Sequence, residues 1–526
     1  MIDWEFPYPS QRMPVAARNV VATSQPLAAQ AGIDALRQGG NAVDAALAMA
    51  ITLTVTEPCS NGVGSDAFAI VWDGEGLIGL NASGRSPAAW NPSIFQGLKQ
   101  MPDLGWGSVT VPGAVSAWVA LSERCGRLPF TRLFERAIEY ARDGFLVGPK
   151  TAFFWGRAVQ RFADFPDFAR HFLSGGRAPA AGEVFRRPDL GDTLERIAAS
   201  RGEAFYRGEL AERMVAHSEA HGGLMSLADL ADHEPEWTDP VAQPYRDVEL
   251  HEIPPNGQGL AAQIALGILA RFDLPGLALD SAESVHLQLE AMKIAIRASF
   301  EHFADPQAMR VGPEELLASS VLDAMAASID RRAAALEPAR LPVGHDTVYL
   351  TAADADGMMV SMIQSNFQGF GSGIVIPQTG IALQNRGSGF TLEPGHVNEV
   401  GPRKRPFHTI IPGFVTQSGQ ARMSFGVMGG HMQHQGHVQM MHRIFDHRQN
   451  PQAASDAPRW HIHPDFTVGL ENGIAPAVAK ELARRGHNVR FEKFEHVFGG
   501  AQLIYRLDDG YCAASDHRKE GLAIGF

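Results

Sequence analysis

The segment Ala42-Val43-Asp44-Ala45-Ala46-Leu47-Ala48-Met49-Ala50 is apolar almost all the way round. At about 3.6 residues per turn, such a helix has no face to offer water, so it is expected to lie buried between other layers. Burying a whole helix requires a large layered core. A chain of 526 residues, 45% hydrophobic and 20% charged, can supply one. The apolar run continues to Val55, but it is shorter than the roughly 20 residues of a bilayer span and is interrupted by Asp44, Thr52 and Thr54. It reads as core, and no membrane span is expected.

The surrounding pattern is helix-rich first and strand-rich later. Gln25-Pro26, LAAQAGIDALRQ and Gly39-Gly40 form a helix with Ser24 or Gln25 near its cap, proline in its first turn and glycine after its end; Asn41 then caps the apolar segment. Two short runs, 67–72 and 76–80, are joined by Asp73-Gly74-Glu75 as a hairpin. Helices are expected from Pro112-Gly113 to Glu123, over 129–142 and over 281–300. From residue 346 a second hairpin pairs 347–353 with 358–364, and further strands are expected at 380–383, 408–415 and 501–505, with a helix at 476–485. The stretch 336–345, with Pro338, Pro342 and Gly344 and no hydrophobic face, is the linker candidate; it ends at Asp346.

Composition narrows the partners. With 45 Lys+Arg against 58 Asp+Glu, the charge of −13 opposes nonspecific attraction to nucleic acid or anionic lipid, leaving small molecules. Cys59, Cys125 and Cys512 are odd in number and form no CxxC, which suggests neither a disulfide framework nor a cysteine-built zinc site and fits a reducing compartment. The N-terminus carries acids where a secretory signal needs a basic region, so a cytoplasmic location is expected. No GxSxG, Walker A or HExxH pattern occurs. Gly62-Val63-Gly64-Ser65-Asp66-Ala67 matches GxGxxA, but Pro58 disrupts the preceding strand and no clear helix follows, so dinucleotide binding is not expected. The histidines 431, 434, 437, 442 and 447 have no carboxylate at a ligand spacing and drift around a helix, which favours surface or core histidines over a metal site.

Thr347 opens a strand directly after the linker candidate and Asp346. That is where a self-cleaving precursor would place a hydroxyl nucleophile; it is equally an ordinary position for a β-branched strand residue. The whole chain bears on that choice. SQPLAAQAGIDALRQGGNAVDAALA from Ser24, VPGAVSAW from Val111, PPNGQGLAAQIALGILARFDL from Pro254 and DTVYLTAADADG from Asp346 resemble the γ-glutamyltranspeptidase family of N-terminal nucleophile hydrolases. So do FGSGIV from Phe370, GIALQN from Gly380, GPRKRP from Gly401, MGG from Met428, DAPRW from Asp456 and ASDHR from Ala514. The similarity is collinear from about residue 16 to the end. It implies an α/β (α+β) fold, a four-layer αββα sandwich, cleaved between Asp346 and Thr347. The large subunit 1–346 and the small subunit 347–526 would stay associated as one catalytic domain.

The same resemblance implies a nucleophile and base in Thr347, a supporting hydroxyl in Ser365, and an oxyanion pair in Gly429 and Gly430, with no cofactor and no metal. Some positions depart from the family pattern. Arg386 and Gly389 stand where an amide or acid and an aspartate grip an α-ammonium; Phe367 replaces an asparagine, and His408-Thr409 replaces two serines. Arg85 lies two positions beyond the family's carboxylate-binding arginine, and the stretch 390–402 is shorter than a lid loop, implying a cleft open to bulky leaving groups. Substrate-binding roles are therefore expected for Arg85, Arg386, His408 and Thr409. The signature is closest to the oxamate amidohydrolase and cephalosporin acylase-like branch. The activity expected is cleavage of small acidic amides, oxamate-like or glutaryl or γ-glutamyl, through an acyl-Thr347. Genuine glutathione hydrolysis with γ-glutamyl transfer, and an unprocessed noncatalytic binding protein, are the rival readings; the oligomeric state is left open.

Overall fold

In the strand Asp346–Ala353, Val348, Leu350 and Ala352 join one hydrophobic cluster while Tyr349 and Ala353 join another. Asp66–Trp72 does the same, with Ala67, Ala69 and Val71 on one side and Phe68, Ile70 and Trp72 on the other. Strands buried on both faces belong to a sheet enclosed between layers. The computed structural model, which describes residues 11–332 and 346–526, arranges them so. The linker candidate 336–345 lies outside the described residues.

Two seven-stranded antiparallel sheets face each other. One runs Leu522–Gly525, Val20–Thr23, Asp346–Ala353, Met359–Phe367, Asp66–Trp72, Leu77–Asn81, Glu236–Thr238. The other runs Val15–Ala17, Gly510–Ser515, Gly500–Leu507, Gln420–Met428, Gly413–Gln417, Val248–Glu252, Val241–Tyr245. Phe68, Ile70, Tyr349, Ile363, Phe414 and Ile504 fill the gap between them. Helices Pro26–Arg37 and Ala42–Thr56 cover the outer face of the first sheet; Gly259–Leu269, Ala282–His302 and Met432–Met441 cover that of the second. The result is the four-layer αββα sandwich.

The apolar helix is longer than its sequence pattern suggested, Ala42–Thr56, and all of its residues are buried. Asn41 Oδ1 accepts from Asp44 N–H at 3.0 Å and Asn41 N–H donates to Asp44 Oδ2 at 2.9 Å, a reciprocal cap that starts it. Three expectations are corrected. Residues 129–142 form a 3-10 turn, Phe130–Phe134, followed by a helix, Glu135–Asp143, rather than one helix. The strand expected at 380–383 shrinks to Ile381–Ala382. The one expected over 408–415 begins only at Gly413, because the His408 backbone pairs with Asn256 and Gln258 instead. Among the described residues, no helix is long and apolar enough to cross a membrane.

Two family-like motifs meet in the core. Arg459 of DAPRW donates to Asp516 of ASDHR at 2.6 Å; Arg518 bonds Asp516 at 3.1 Å and Glu471 at 2.6 Å, and Ala501 N–H reaches Asp516 at 2.7 Å. Asp516 is fully buried, and although burial acts to raise its pKa, Arg459 and Arg518 hold it well below the usual carboxylate range. Its ionised form is therefore stabilising above the unfolded carboxylate pKa, and that contribution is lost as acid titrates it in the fold. Asp516→Asn leaves buried Arg459 without its carboxylate partner, while Arg518 keeps Glu471, and is expected to cost about 3–5 kcal/mol, read as a loss in urea midpoint at pH 7. An unchanged midpoint would refute this role.

Candidate active site

Thr347 shares the parity of Tyr349 and Ala353, so its side chain points into the gap between the sheets, where it is buried. Ser365 has the parity of Ile363 on the neighbouring strand and meets it there: Thr347 Oγ donates to Ser365 Oγ at 3.2 Å. Ser365 Oγ also accepts Phe367 N–H at 2.8 Å, which orients the serine. Gln433 Nε2 reaches Thr347 Oγ at 3.5 Å from the opposite layer. A hydroxyl held between a serine and an amide is fixed in one rotamer, the arrangement a nucleophile needs.

Gly429 and Gly430 link the strand Gln420–Met428 to the helix Met432–Met441 on the facing sheet. Their φ values, +128° and +59°, lie where side chains are rarely accommodated, and a Cβ on Gly429 would come within 3.0 Å of Gly499 Cα. Among the described residues no backbone carbonyl accepts either amide N–H, which leaves two donors at a sharp turn and a helix entry, suited to an oxyanion. Gly430→Val is expected to lower kcat by about 10²–10³ with a much smaller change in KM. A rise in KM alone would refute the oxyanion role.

Arg386 begins a 3-10 turn, Arg386–Gly389, and is only 1% exposed. Its guanidinium lies 4.6 Å from the Phe367 ring centroid, and Nη1 donates to Thr409 Oγ1 at 2.8 Å. Among the described residues, Nε and Nη2 have no hydrogen-bond partner. These two nitrogens form one edge of the planar fork, the edge that matches a carboxylate. Burial pulls the Arg386 pKa down to about 9, opposed by Asp66, so it stays charged at neutral pH.

His408 and Thr409 converge on the same place. Thr409 holds Arg386, while His408 Nε2–H donates to Asp66 Oδ2 at 3.1 Å. Burial, and then Arg386 and Arg405, push the His408 pKa well down, so the ring is neutral and the Asp66 contact assigns its proton to Nε2. Arg85 is placed otherwise. It bonds Asp305 at 2.7 Å, Glu236 at 3.1 Å and the Arg403 carbonyl at 3.2 Å, so its charge is already matched by two carboxylates of the chain. That guanidinium is not a free grip for an anion.

Asp66, Gln433 and Arg405 belong to this constellation, and the sequence reading gave them no role. Asp66 sits inside the GxGxxA match, which leads into a strand rather than a helix; an acid opening the apolar run AFAIVW was the available signal. Four of the five histidines, 431, 434, 437 and 442, are core and His447 is half-buried; His437 bonds Glu252 at 2.6 Å and His442 bonds Asp446 at 2.7 Å. Elsewhere, His286, Glu290 and His487 cluster closely enough to hold a metal. Lys293 Nζ, 2.8 Å from Glu290 and 3.1 Å from His487, already supplies a cation there.

A cavity of about 930 Å³ is lined by Gln368, Ser388 and Gly389, which lie close to Phe367 and Arg386 along the chain, although neither Arg386 nor Thr347 lines it. Phe154, Phe162, Phe300, Phe370 and Phe390 contribute to its walls, with Lys99, Arg157 and Arg161 also lining it.

The sequence model described as gamma-glutamyltranspeptidase matches residues 28–526. The chain belongs to the γ-glutamyltranspeptidase family. It is 34% identical over 522 residues to the glutathione hydrolase-like YwrD proenzyme of Bacillus subtilis, covering 97% of this chain and 99% of that one. It is 33% identical over 526 residues to the oxamate amidohydrolase proenzyme of Klebsiella pneumoniae, covering 97% and 99%. The crystal structure of cephalosporin acylase from Bacillus halodurans superposes with a TM-score of 0.95 at 44% identity, covering 100% of this chain and 99% of that one. This γ-glutamyltranspeptidase-family protein is thus an amide hydrolase with the N-terminal nucleophile hydrolase fold.

Proposed function

We propose that this protein cleaves itself between Asp346 and Thr347 and then hydrolyses amides whose acyl half ends in a carboxylate and carries no α-ammonium. Thr347 Oγ attacks the Asp346 carbonyl, and water hydrolyses the resulting ester. The freed α-amino group, with a reference pKa of about 7.7–8.0, then serves as general base beside its own hydroxyl. The substrate amide acylates Thr347 Oγ, the amine leaves with a proton, and water releases the acid. Gly429 and Gly430 N–H stabilise the oxyanion at each tetrahedral stage, and Ser365 holds the hydroxyl.

The observation that carries the substrate reading is the unpaired edge of buried Arg386. A buried charged donor without a partner is costly, about 1–3 kcal/mol or more, and a docking carboxylate removes that cost. Asp66 offers an ammonium little, because Gly84 N–H, Gly113 N–H and His408 Nε2–H already occupy its oxygens. Oxamate fits this chemistry, in keeping with the name of the Klebsiella relative, and glutaryl amides present the same terminal carboxylate without an ammonium. Amine release from a panel of oxamate, glutaryl, γ-glutamyl and uncharged acyl amides tests the reading. Acidic acyl groups without an ammonium should be cleaved fastest, and a preference for uncharged acyl groups would refute it.

A further inference from the structure

Arg386 and Asp66 are paired through space without touching. Among the described residues, no carboxylate lies within ion-pair distance of Arg386 and no lysine or arginine within that distance of Asp66. Two successive residues hold them apart: His408 bonds Asp66 at 3.1 Å and Thr409 bonds Arg386 at 2.8 Å. Arg405, the other cation acting on Asp66, shares Glu236 at 2.6 Å with Arg85, whose second partner is Asp305, so these two arginines are balanced by two carboxylates. Asp66 is fully buried, and its Oδ1 accepts from Gly113 N–H at 3.0 Å and Gly84 N–H at 3.3 Å.

This geometry makes the empty pocket neutral: one cation, one anion. A substrate carboxylate docking on Arg386 adds a second negative charge inside a desolvated site that holds one uncommitted cation. Two carboxylates in that position cannot both stay ionised cheaply. We propose that Asp66 is a specificity-determining residue that takes up one proton from solvent as the substrate carboxylate docks on Arg386, and releases it when the acid product leaves. The inference rests on the carboxylate-clamp reading of Arg386.

The proton has a place to go. It adds to Asp66 Oδ2, which then donates to His408 Nε2, while the ring proton moves to Nδ1. The partner given up at Nδ1 is Ile410 N–H at 3.4 Å, a long bond. Burial already pushes the Asp66 carboxyl up to about 7, against Arg386, the Gly113 and Gly84 amides and Arg405. A bound anion offsets the Arg386 charge and pushes it further up. The sign follows from reciprocity: protonation favours the anion and the anion favours protonation, so affinity falls as pH rises through the free-state pKa.

Other groups face Asp66 and could titrate in its stead. Burial raises the Tyr206 phenol well above its ordinary range, and His408 is held neutral. The α-amino group of cleaved Thr347 lies two strands away, across Ser365, which is paired with Asp66. Substitution at Asp66 separates it from that amine.

The test uses the processed enzyme and glutarate, a product-like dianion, measured calorimetrically in buffers of different ionisation heat between pH 6 and 8, below the range in which Arg386 itself titrates. Wild type is expected to take up close to one proton per glutarate at the alkaline end, with affinity falling by up to about tenfold per pH unit there. Valeramide, of similar shape but uncharged, should take up none; this comparison needs no variant. Asp66→Asn keeps the shape and the acceptor for Gly84 and Gly113, and should bind glutarate with a flat pH profile and no proton uptake. Equal uptake in Asp66→Asn, or none in wild type, overturns the proposal. If Arg386→Ala leaves glutarate affinity unchanged, the clamp reading itself fails. If glutarate depends on Arg386 yet binds without proton uptake, only the role of Asp66 fails.

Discussion

Thr347→Ala is expected to give one uncleaved chain of 526 residues with turnover reduced by at least about 10⁴-fold, the scale seen when a covalent nucleophile is removed. The wild-type chain is expected to give two polypeptides by mass spectrometry, ending at Asp346 and beginning at Thr347. One residue supplies the attacking hydroxyl for both cleavage and catalysis, and the base for catalysis exists only once its amine is free. Thr347→Ser should process slowly, since it keeps the hydroxyl but loses the methyl group that restricts its rotamer. The hydroxyl's contact with Ser365 at 3.2 Å motivates the same reading from the structure. A fully active, uncleaved wild type would refute the mechanism, and so would a Thr347→Ala protein that cleaves normally.

Local physics made much of the fold legible. The apolar segment after Asn41 could only be buried, and it is; the 354–357 turn could only join antiparallel strands, and Asp346–Ala353 does pair with Met359–Phe367. What the sequence could not convey was what tertiary contacts decide. His408 has a strand-like neighbourhood, yet its backbone is captured by Asn256 and Gln258 and its ring by Asp66, from two separate segments. Arg85 and Arg386 look alike as letters. The first finds Asp305 and Glu236 and is neutralised, while the second is packed on Phe367 with one edge unpaired. Asp66 was hidden for the same reason: its meaning depends on residues far away in the chain, Gly113, His408 and Arg386.

Arg386→Ala is expected to lower kcat/KM for a glutaryl anilide by between roughly 30-fold and several thousand-fold, the rate equivalent of the 2–5 kcal/mol typical of truncating a buried charged partner. An exposed ion pair would be worth under about 1 kcal/mol, so the size of the effect depends on burial. Arg386 meets that condition, being 1% exposed, and its free edge offers two parallel donors. Arg386→Lys keeps a charge but presents a single point donor, and should fall between wild type and alanine. The uncharged valeryl anilide should lose far less in either variant, because it never used the fork. Wild type should also prefer the glutaryl over the matched γ-glutamyl anilide: the extra ammonium brings a positive charge beside the guanidinium, and Asp66 has no free oxygen to meet it without giving up His408. A clear preference for the γ-glutamyl anilide would refute the inversion of charge preference, and equal losses for glutaryl and valeryl anilides in Arg386→Ala would show that the arginine shapes the site without binding the carboxylate.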